Sequence, residues 1–185
     1  MFSGLIKGSA LLVDVVVLDG GIRIGLMLGF DFGLKLGASL CCSGVCLTVV
    51  GVWLRYVELE VWCVSLSLSN FSGVSRFDLI NVEQPLALNS LLHGRVVSGH
   101  VASTVKMVRI DKRIRGMRLW FECPSWLVSS LAACAAVCLN GMSLTLVSVD
   151  DMCFSVYLTQ FGLENAASIV CCKEFNFEWR QLNSI

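Results

Sequence analysis

The sequence predicts an all-β protein built from two similar small Greek-key barrels in tandem. Three observations predict it. First, the chain repeats itself: Gly44-Val45-Cys46-Leu47-Thr48-Val49-Val50 returns as Gly141-Met142-Ser143-Leu144-Thr145-Leu146-Val147, with Gly, Leu, Thr and the last Val unchanged and Cys matched by Ser. Val57-Glu58-Leu59-Glu60-Val61 is echoed by Phe154-Ser155-Val156-Tyr157-Leu158, and Asn81-Val82-Glu83 by Asn176-Phe177-Glu178. Second, short runs rich in Val, Leu and Ile alternate with Gly, Ser, Asn and Asp at the spacing of a sandwich or barrel. Third, Asp19-Gly20-Gly21, Ser43-Gly44 and Asn140-Gly141 are hairpin signals, because tight two-residue turns need positive φ. A closed barrel removes exposed strand edges, which favours it over an open sheet.

In chain order, residues 11–18, 46–52, 57–66, 95–108, 118–122, 143–149 and 154–158 read as strands. Alternation with period two sends Cys46 and Thr48 to one face of their strand, and Ser143 and Thr145 to the matching face of theirs. Residues 86–93 form the connector, with Pro85 and Asn89-Ser90 as breakers, so the modules divide at 1–95 and 96–185. Segment 123–149 has no charged residue, yet Pro124, Asn140 and Gly141 interrupt it and serines dilute it. Its apolar core, 127–139, is too short to cross a bilayer and reads as a helix or buried segment leading into the second strand copy. The seven residues after Glu178 are too few for an independent helix.

Composition excludes several functions. Formal charge is zero, and only 109–118 carries a dense run of Lys and Arg, so no basic face for nucleic acid is expected. The ten cysteines include no Cys-x-x-Cys, and only His93 and His100 accompany them, so no metal site is expected. Cys41-Cys42, Cys134, Cys138 and Cys171-Cys172 sit among apolar residues, where a thiol packs as a small hydrophobe. The opening Met1-Phe2-Ser3-Gly4 is unlike a secretory leader, which places the protein in the reducing cytoplasm.

Few residues stand out for chemistry. His100, in Val97-Ser98-Gly99-His100-Val101, is either a proton-transfer group at a site entrance or a strand histidine satisfied by a carbonyl. Cys46 is a nucleophile if a positive neighbour lowers its pKa, and otherwise core. Ser143 and Thr145 read equally as turn and strand residues. The residues alone therefore lead to a duplicated barrel that binds a small molecule.

Together these motifs resemble riboflavin synthase. Met1-Phe2-Ser3-Gly4-Leu5-Ile6 resembles the family's opening, and Leu36-Gly37-Ala38-Ser39 followed by Gly44-Val45-Cys46-Leu47-Thr48-Val49 resembles its Gly-x-Ser and Gly-x-Cys-Leu-Thr-Val. Asp78-Leu79-Ile80-Asn81-Val82-Glu83, Ser98-Gly99-His100-Val101 and Asn140-Gly141-Met142-Ser143-Leu144-Thr145 are similar to three further motifs, in the same order. The resemblance implies two six-stranded barrels with short helices, while the short tail after Glu178 leaves no room for the family's long C-terminal helix. It implies a transferase without a cofactor, which moves a four-carbon unit between two molecules of 6,7-dimethyl-8-ribityllumazine. It also implies a homo-oligomer, the family being trimeric; without the helix, the trimer is open here.

The resemblance further implies where the ligands sit. Gly4, Leu5 and Ile6, with Ser39, Cys46, Leu47 and Thr48 and with Glu60, Val61, Trp62, Cys63, Val64 and Ser65, would line one pocket. Gly99, His100 and Val101 would lie near the joint. Ser143, Leu144 and Thr145, with Thr159, Gln160, Phe161, Gly162, Leu163 and Glu164, would line the other. His100, Ser143 and Cys46 take the catalytic roles. The departures cluster in the second copy: Cys134 for a lysine, Asn140 for an aspartate, Thr159-Gln160-Phe161-Gly162 without Pro-x-Thr, Ala166-Ala167 for hydroxyl residues, and Arg180 for an aspartate. Arg95 replaces a histidine and Ala102 an aspartate. Each lost hydrogen bond to a ribityl chain is worth roughly 0.5–1.5 kcal/mol, so the second pocket is expected to bind more weakly or differently. A non-catalytic lumazine- or flavin-binding protein of the same fold is the alternative.

Overall fold

The computed structural model describes residues 1–87, 89, 91–165, 169 and 172–179. The first barrel is formed by β1 (Gly8–Leu18), β2 (Gly21–Leu28), β3 (Ser39–Cys42), β4 (Val45–Trp53), β5 (Tyr56–Trp62) and β6 (Leu79–Glu83). The second is formed by β7 (Ser103–Arg113), β8 (Gly116–Glu122), β9 (Ala136–Leu139), β10 (Met142–Val149), β11 (Cys153–Thr159) and β12 (Glu174–Glu178). Both close with one topology: β1-β2-β5-β4-β3-β6 in the first, and the same circuit of β7 to β12 in the second. The bulges repeat too. One falls between Leu12 and Asp14 and is matched between Met107 and Arg109; another falls between Val49 and Gly51 and is matched between Leu146 and Ser148. A bulge bends a strand locally, so its recurrence fixes equal curvature in both copies.

Period-two alternation fills each barrel. Leu12, Ile24, Leu26, Leu40, Leu47, Leu59 and Val82 pack the first, a largely aliphatic core joined by Phe32 and Phe71. The second core is aromatic: Phe121 lies 5.3 Å from Phe154 and 5.0 Å, edge-on, from Phe175. Cys41, Cys42 and Cys138 are buried as expected, and burial pushes all three thiols up from their ordinary pKa. Cys134, in contrast, is exposed. Cys171 lies outside the described residues.

Some expected elements change. The strand expected over 57–66 stops at Trp62, where Trp62, Cys63 and Val64 all face solvent and alternation ends; helix α1 (Cys63–Leu68) follows. Within 95–108 only the part from Ser103 is a strand. The preceding stretch is an extended arm, because its amides bond elsewhere. Within 123–149, a short helix α2 (Ser125–Val128) precedes β9. A third helix, α3 (Gln160–Asn165), follows β11. No helix among the described residues is long and apolar enough to cross a membrane.

The barrels meet about an approximate two-fold axis through the turns Ser43-Gly44 and Asn140-Gly141. Both turns have positive φ at each residue, as in type I′ hairpins. The turns press together so closely that a Cβ on Gly44 would stand 2.9 Å from the Gly141 nitrogen. Asparagines stitch the joint: Asn81 Nδ2 donates to the Asn140 carbonyl (2.9 Å), and Asn176 Nδ2 to the Ser43 carbonyl (2.8 Å).

Candidate functional site

Two arms build the ground under the site. Ser3 donates through its N–H and its hydroxyl to the Glu83 carboxylate, at 2.6 Å each, and the Gly4 N–H donates to the same group at 3.0 Å. The second copy repeats this clasp: Ser98 donates through its N–H and hydroxyl to Glu178, at 2.7 and 2.8 Å, and Gly99 through its N–H at 2.9 Å. Phe2 and Val97 pair antiparallel, each N–H donating to the other's carbonyl. Burial raises the Glu83 pKa, partly offset by the Ser3 and Gly4 bonds.

From these clasps the arms cross to opposite barrels. The Ser143 N–H donates to the Gly4 carbonyl, and the Cys46 N–H to the Gly99 carbonyl, each at 2.9 Å. The approach requires glycine: a Cβ on Gly4 or Gly99 would lie 2.6 Å from the Cβ of Ser143 or Cys46 respectively. Ile6 then packs on the second core and Val101 on the first. These contacts group the residues differently from the pockets the resemblance implies. Gly4, Leu5 and Ile6 accompany Ser143, whereas Gly99, His100 and Val101 accompany Cys46.

On the first barrel the polar residues form a row along the outer face. Ser39 pairs with Thr48 across β3 and β4, Thr48 with Glu60 across β4 and β5, and Glu60 with Arg23 across β5 and β2. The Glu60 carboxylate accepts from the Arg23 guanidinium at 2.7 Å. Half-buried Cys46 stands on the same face as exposed Thr48, and exposed His100 follows the glycine bonded to Cys46. The His100 ring is therefore on the arm rather than in a strand. Trp62, Cys63 and Val64 are exposed at the β5–α1 junction, with half-buried Ser65 in the helix. Leu47 and Val61 point into the core, so only their backbone reaches this face.

On the second barrel, Ser143 is half-buried and Thr145 exposed on the outer face of β10, while Leu144 and Leu163 pack toward the core. β10 and β11 pair antiparallel through Leu146 and Val156, so Ser143 and Thr159 lie toward the same end of the barrel. Gln160, Phe161 and Glu164 are exposed on α3; the Gly162 N–H donates to Thr159 Oγ1 at 3.2 Å, and Gln160 Nε2 to Glu164 at 3.2 Å. A cleft of about 570 Å³ beside Ser143 is lined by Arg95, Val97, Cys134, Cys138 and Trp179 among others. Its volume suits a heterocycle of drug-like size. Cys134 has φ 68°, a left-handed conformation that the first copy gives to Gly37. Ala166, Ala167 and Arg180 lie outside the described residues.

Sequence reasoning missed the two glutamate clasps. Their signal was present: a Ser-Gly pair ahead of each module and a Glu at each repeat's end. Chemically, each outer face offers a hydroxyl and a second small polar group beside apolar surface. That combination suits a neutral polar heterocycle.

Comparison with known proteins agrees with this reading. The model of the lumazine binding domain family matches residues 98–170. The riboflavin synthase of Brucella abortus (strain 2308) is 33% identical over 170 residues, covering 89% of this chain and 84% of the relative. That of Escherichia coli (strain K12) is 27% identical over 168 residues, covering 89% and 78%. Among solved structures, LumP complexed with riboflavin has a TM-score of 0.90 at 17% identity, covering 98% of this chain and 100% of that one. LumP complexed with 6,7-dimethyl-8-(1'-D-ribityl) lumazine has a TM-score of 0.85 at 15% identity, with the same coverage.

Proposed function

The chain belongs to the riboflavin synthase family, and from that premise we propose that it performs the last step of riboflavin biosynthesis. Two molecules of 6,7-dimethyl-8-ribityllumazine dismutate: one gives a four-carbon unit to the other, yielding riboflavin and 5-amino-6-ribitylaminouracil. Reactants and products balance without oxidant or reductant. The protein's residues therefore have to bind, align and move protons. Holding two ligands at bonding distance turns a bimolecular encounter into an effectively unimolecular step.

The observation that carries the proposal is the pair of equivalent outer faces, Cys46 and Thr48 with His100 on one barrel and Ser143 and Thr145 on the other. Thr48, Cys46 and His100 orient one lumazine, and Ser143 holds the other. A polar group of this set, or a water bound to it, takes the proton from the acidic ring methyl. Both faces are open to solvent at Thr48, Trp62, Thr145 and Phe161. We therefore assign the facing pair to the first barrel of one copy and the second barrel of another, which makes the working form a homo-oligomer. The family's trimer is one such arrangement. The cytoplasm is the compartment this reading assigns, in keeping with the free thiols of Cys41, Cys42 and Cys138.

A second reading, a lumazine- or flavin-binding protein without turnover, draws on the second cleft, where Cys134 and Arg95 stand in place of the family's lysine and histidine. One assay separates the two. The purified chain is incubated with the lumazine while riboflavin absorbance is followed; steady growth supports the synthase, and tight binding with no growth supports the binder.

A further inference from the structure

The first barrel sets two thiols directly opposite each other at the candidate site. Cys41 of β3 pairs with Cys46 of β4, and the pair Cys42 and Val45 closes the ladder at the Ser43-Gly44 turn. In a two-residue hairpin the pair next to the turn exchanges hydrogen bonds and the following pair does not. The Cys46 N–H accordingly turns away from β3 and donates to the Gly99 carbonyl at 2.9 Å. Side chains of a non-hydrogen-bonded pair stand close on one face, with Cα atoms about 4.5 Å apart. A disulfide spans Cα separations of roughly 4.4–6.8 Å, so this register admits one.

The two thiols have unequal surroundings. Cys41 is 1% exposed, clustered with Phe2, Val97 and Cys138, and Cys46 packs against the same cluster. Burial, reinforced by the Glu83 carboxylate, pushes the Cys41 thiol up, and a hydrogen bond from the Gly44 N–H offsets part of this. A buried apolar thiol of this kind is inert toward solutes on its own. Half-buried Cys46 is the sulfur that an oxidant reaches. Cys42 does not compete, because alternation turns it into the barrel core. The second barrel lacks the pair: Cys138 stands opposite Ser143 there, and a hydroxyl closes no such bond.

We propose that Cys41 and Cys46 are a peroxide-sensitive thiol pair whose disulfide reversibly closes the first-barrel face to its ligand. Hydrogen peroxide is the oxidant. The Cys46 sulfur attacks one peroxide oxygen, the O–O bond breaks, one water leaves, and Cys46 becomes a sulfenic acid. The Cys41 sulfur then displaces that hydroxyl: the S–S bond forms, the S–O bond breaks, and the Cys41 proton departs with the hydroxyl as water. Two thiols and one peroxide thus give one disulfide and two waters. Closure withdraws the Cys46 thiol from the face it shares with Thr48. The effect on lumazine rests on the proposed function, whereas the thiol chemistry does not. In the reducing compartment assigned above, such a bond is transient, as a redox sensor requires.

The test exposes the purified, reduced full chain to hydrogen peroxide, blocks the remaining thiols, and maps the cysteines by mass spectrometry after trypsin. Cys41, Cys42 and Cys46 share one tryptic peptide, 36–55, whereas Cys138 lies on another, 119–173. The expected product is peptide 36–55 with only Cys42 blocked until dithiothreitol is added. Cys41→Ala should form no such bond and should leave a Cys46 sulfenic acid that dimedone labels. Peptide 36–55 joined to 119–173, or recovered with all three thiols free, would overturn the pair. Lumazine fluorescence titration is the second arm. Peroxide should weaken the tighter site at least about tenfold, the scale of one lost hydrogen bond, and dithiothreitol should restore it. Cys46→Ser, the second copy's own residue, should hold its affinity through the same treatment. A disulfide that forms without changing affinity overturns the closure. A reduced chain that binds no lumazine, yet closes the disulfide under peroxide, refutes the proposed function and leaves the thiol pair standing. A chain that forms riboflavin and keeps all three thiols free after peroxide refutes the pair alone.

Discussion

The two barrels share a skeleton and differ on their outer surfaces. Topology, bulges, turns and glutamate clasps coincide. The differences lie elsewhere: Cys46 is matched by Ser143 across the repeat, His100 by Leu5, and Gly37 by Cys134. The cores also diverge, aliphatic in the first and phenylalanine-rich in the second, without altering the closure of either. Volume and pattern suffice to close a barrel. Outer faces of like geometry and unequal chemistry suit a reaction between two copies of one substrate, since its partners leave as different products.

The largest expected effect probes what the copies share. Glu83→Ala leaves three buried donors without a partner, and Glu178→Ala one buried and two half-buried donors, so each should cost about 3 kcal/mol in urea denaturation. Equal losses would establish the clasps as equivalent; a marked difference would break that symmetry. Next come the residues that differ. His100→Ala should slow riboflavin formation about a hundredfold, within the usual span for a lost proton-transfer group. Ser143→Ala should slow it about tenfold, the scale of one lost hydrogen bond. Turnover indifferent to both polar changes would remove these side chains from the site.

A smaller effect tests strain. Cys134 holds a left-handed backbone that Gly37 adopts without cost, so Cys134→Gly should stabilise the chain by about 1 kcal/mol, read as a rise in Tm. The smallest is a slope. Burial raises the Glu83 pKa above its unfolded value, so between the two the folded state binds more protons. Stability from this group is then fully present below the ordinary carboxylate range and falls as pH rises through the raised value. Glu83→Gln should flatten that part of the urea-midpoint profile against pH.

Much of this was legible in the residues. The repeat located β4 and β10 within one residue at each end, and Asp19-Gly20-Gly21 marked the β1–β2 turn. The four-residue strands β3 and β9 were not legible, because each is buried along most of its length and shows no alternation. The arm at 95–101 has strand-like composition, but its Gly99 has positive φ and its amides go to Glu178. Local pattern cannot reveal a partner that far away in the chain. The same limit hid the crossing of the arms. The resemblance grouped Gly4 with Cys46 of its own module, whereas its carbonyl accepts from Ser143 of the other.

The turns that touch at the axis also bear on how such a doubled protein ages. With Gly44 and Gly141 set backbone to backbone, neither half can enlarge its turn unless the twin gives way. The pair must therefore change in concert or stay as it is. Cys46 and Ser143, one strand step beyond, carry no such mutual bond and have drifted apart. Likeness between the halves outlasts divergence at their seam and erodes where each meets the world outside.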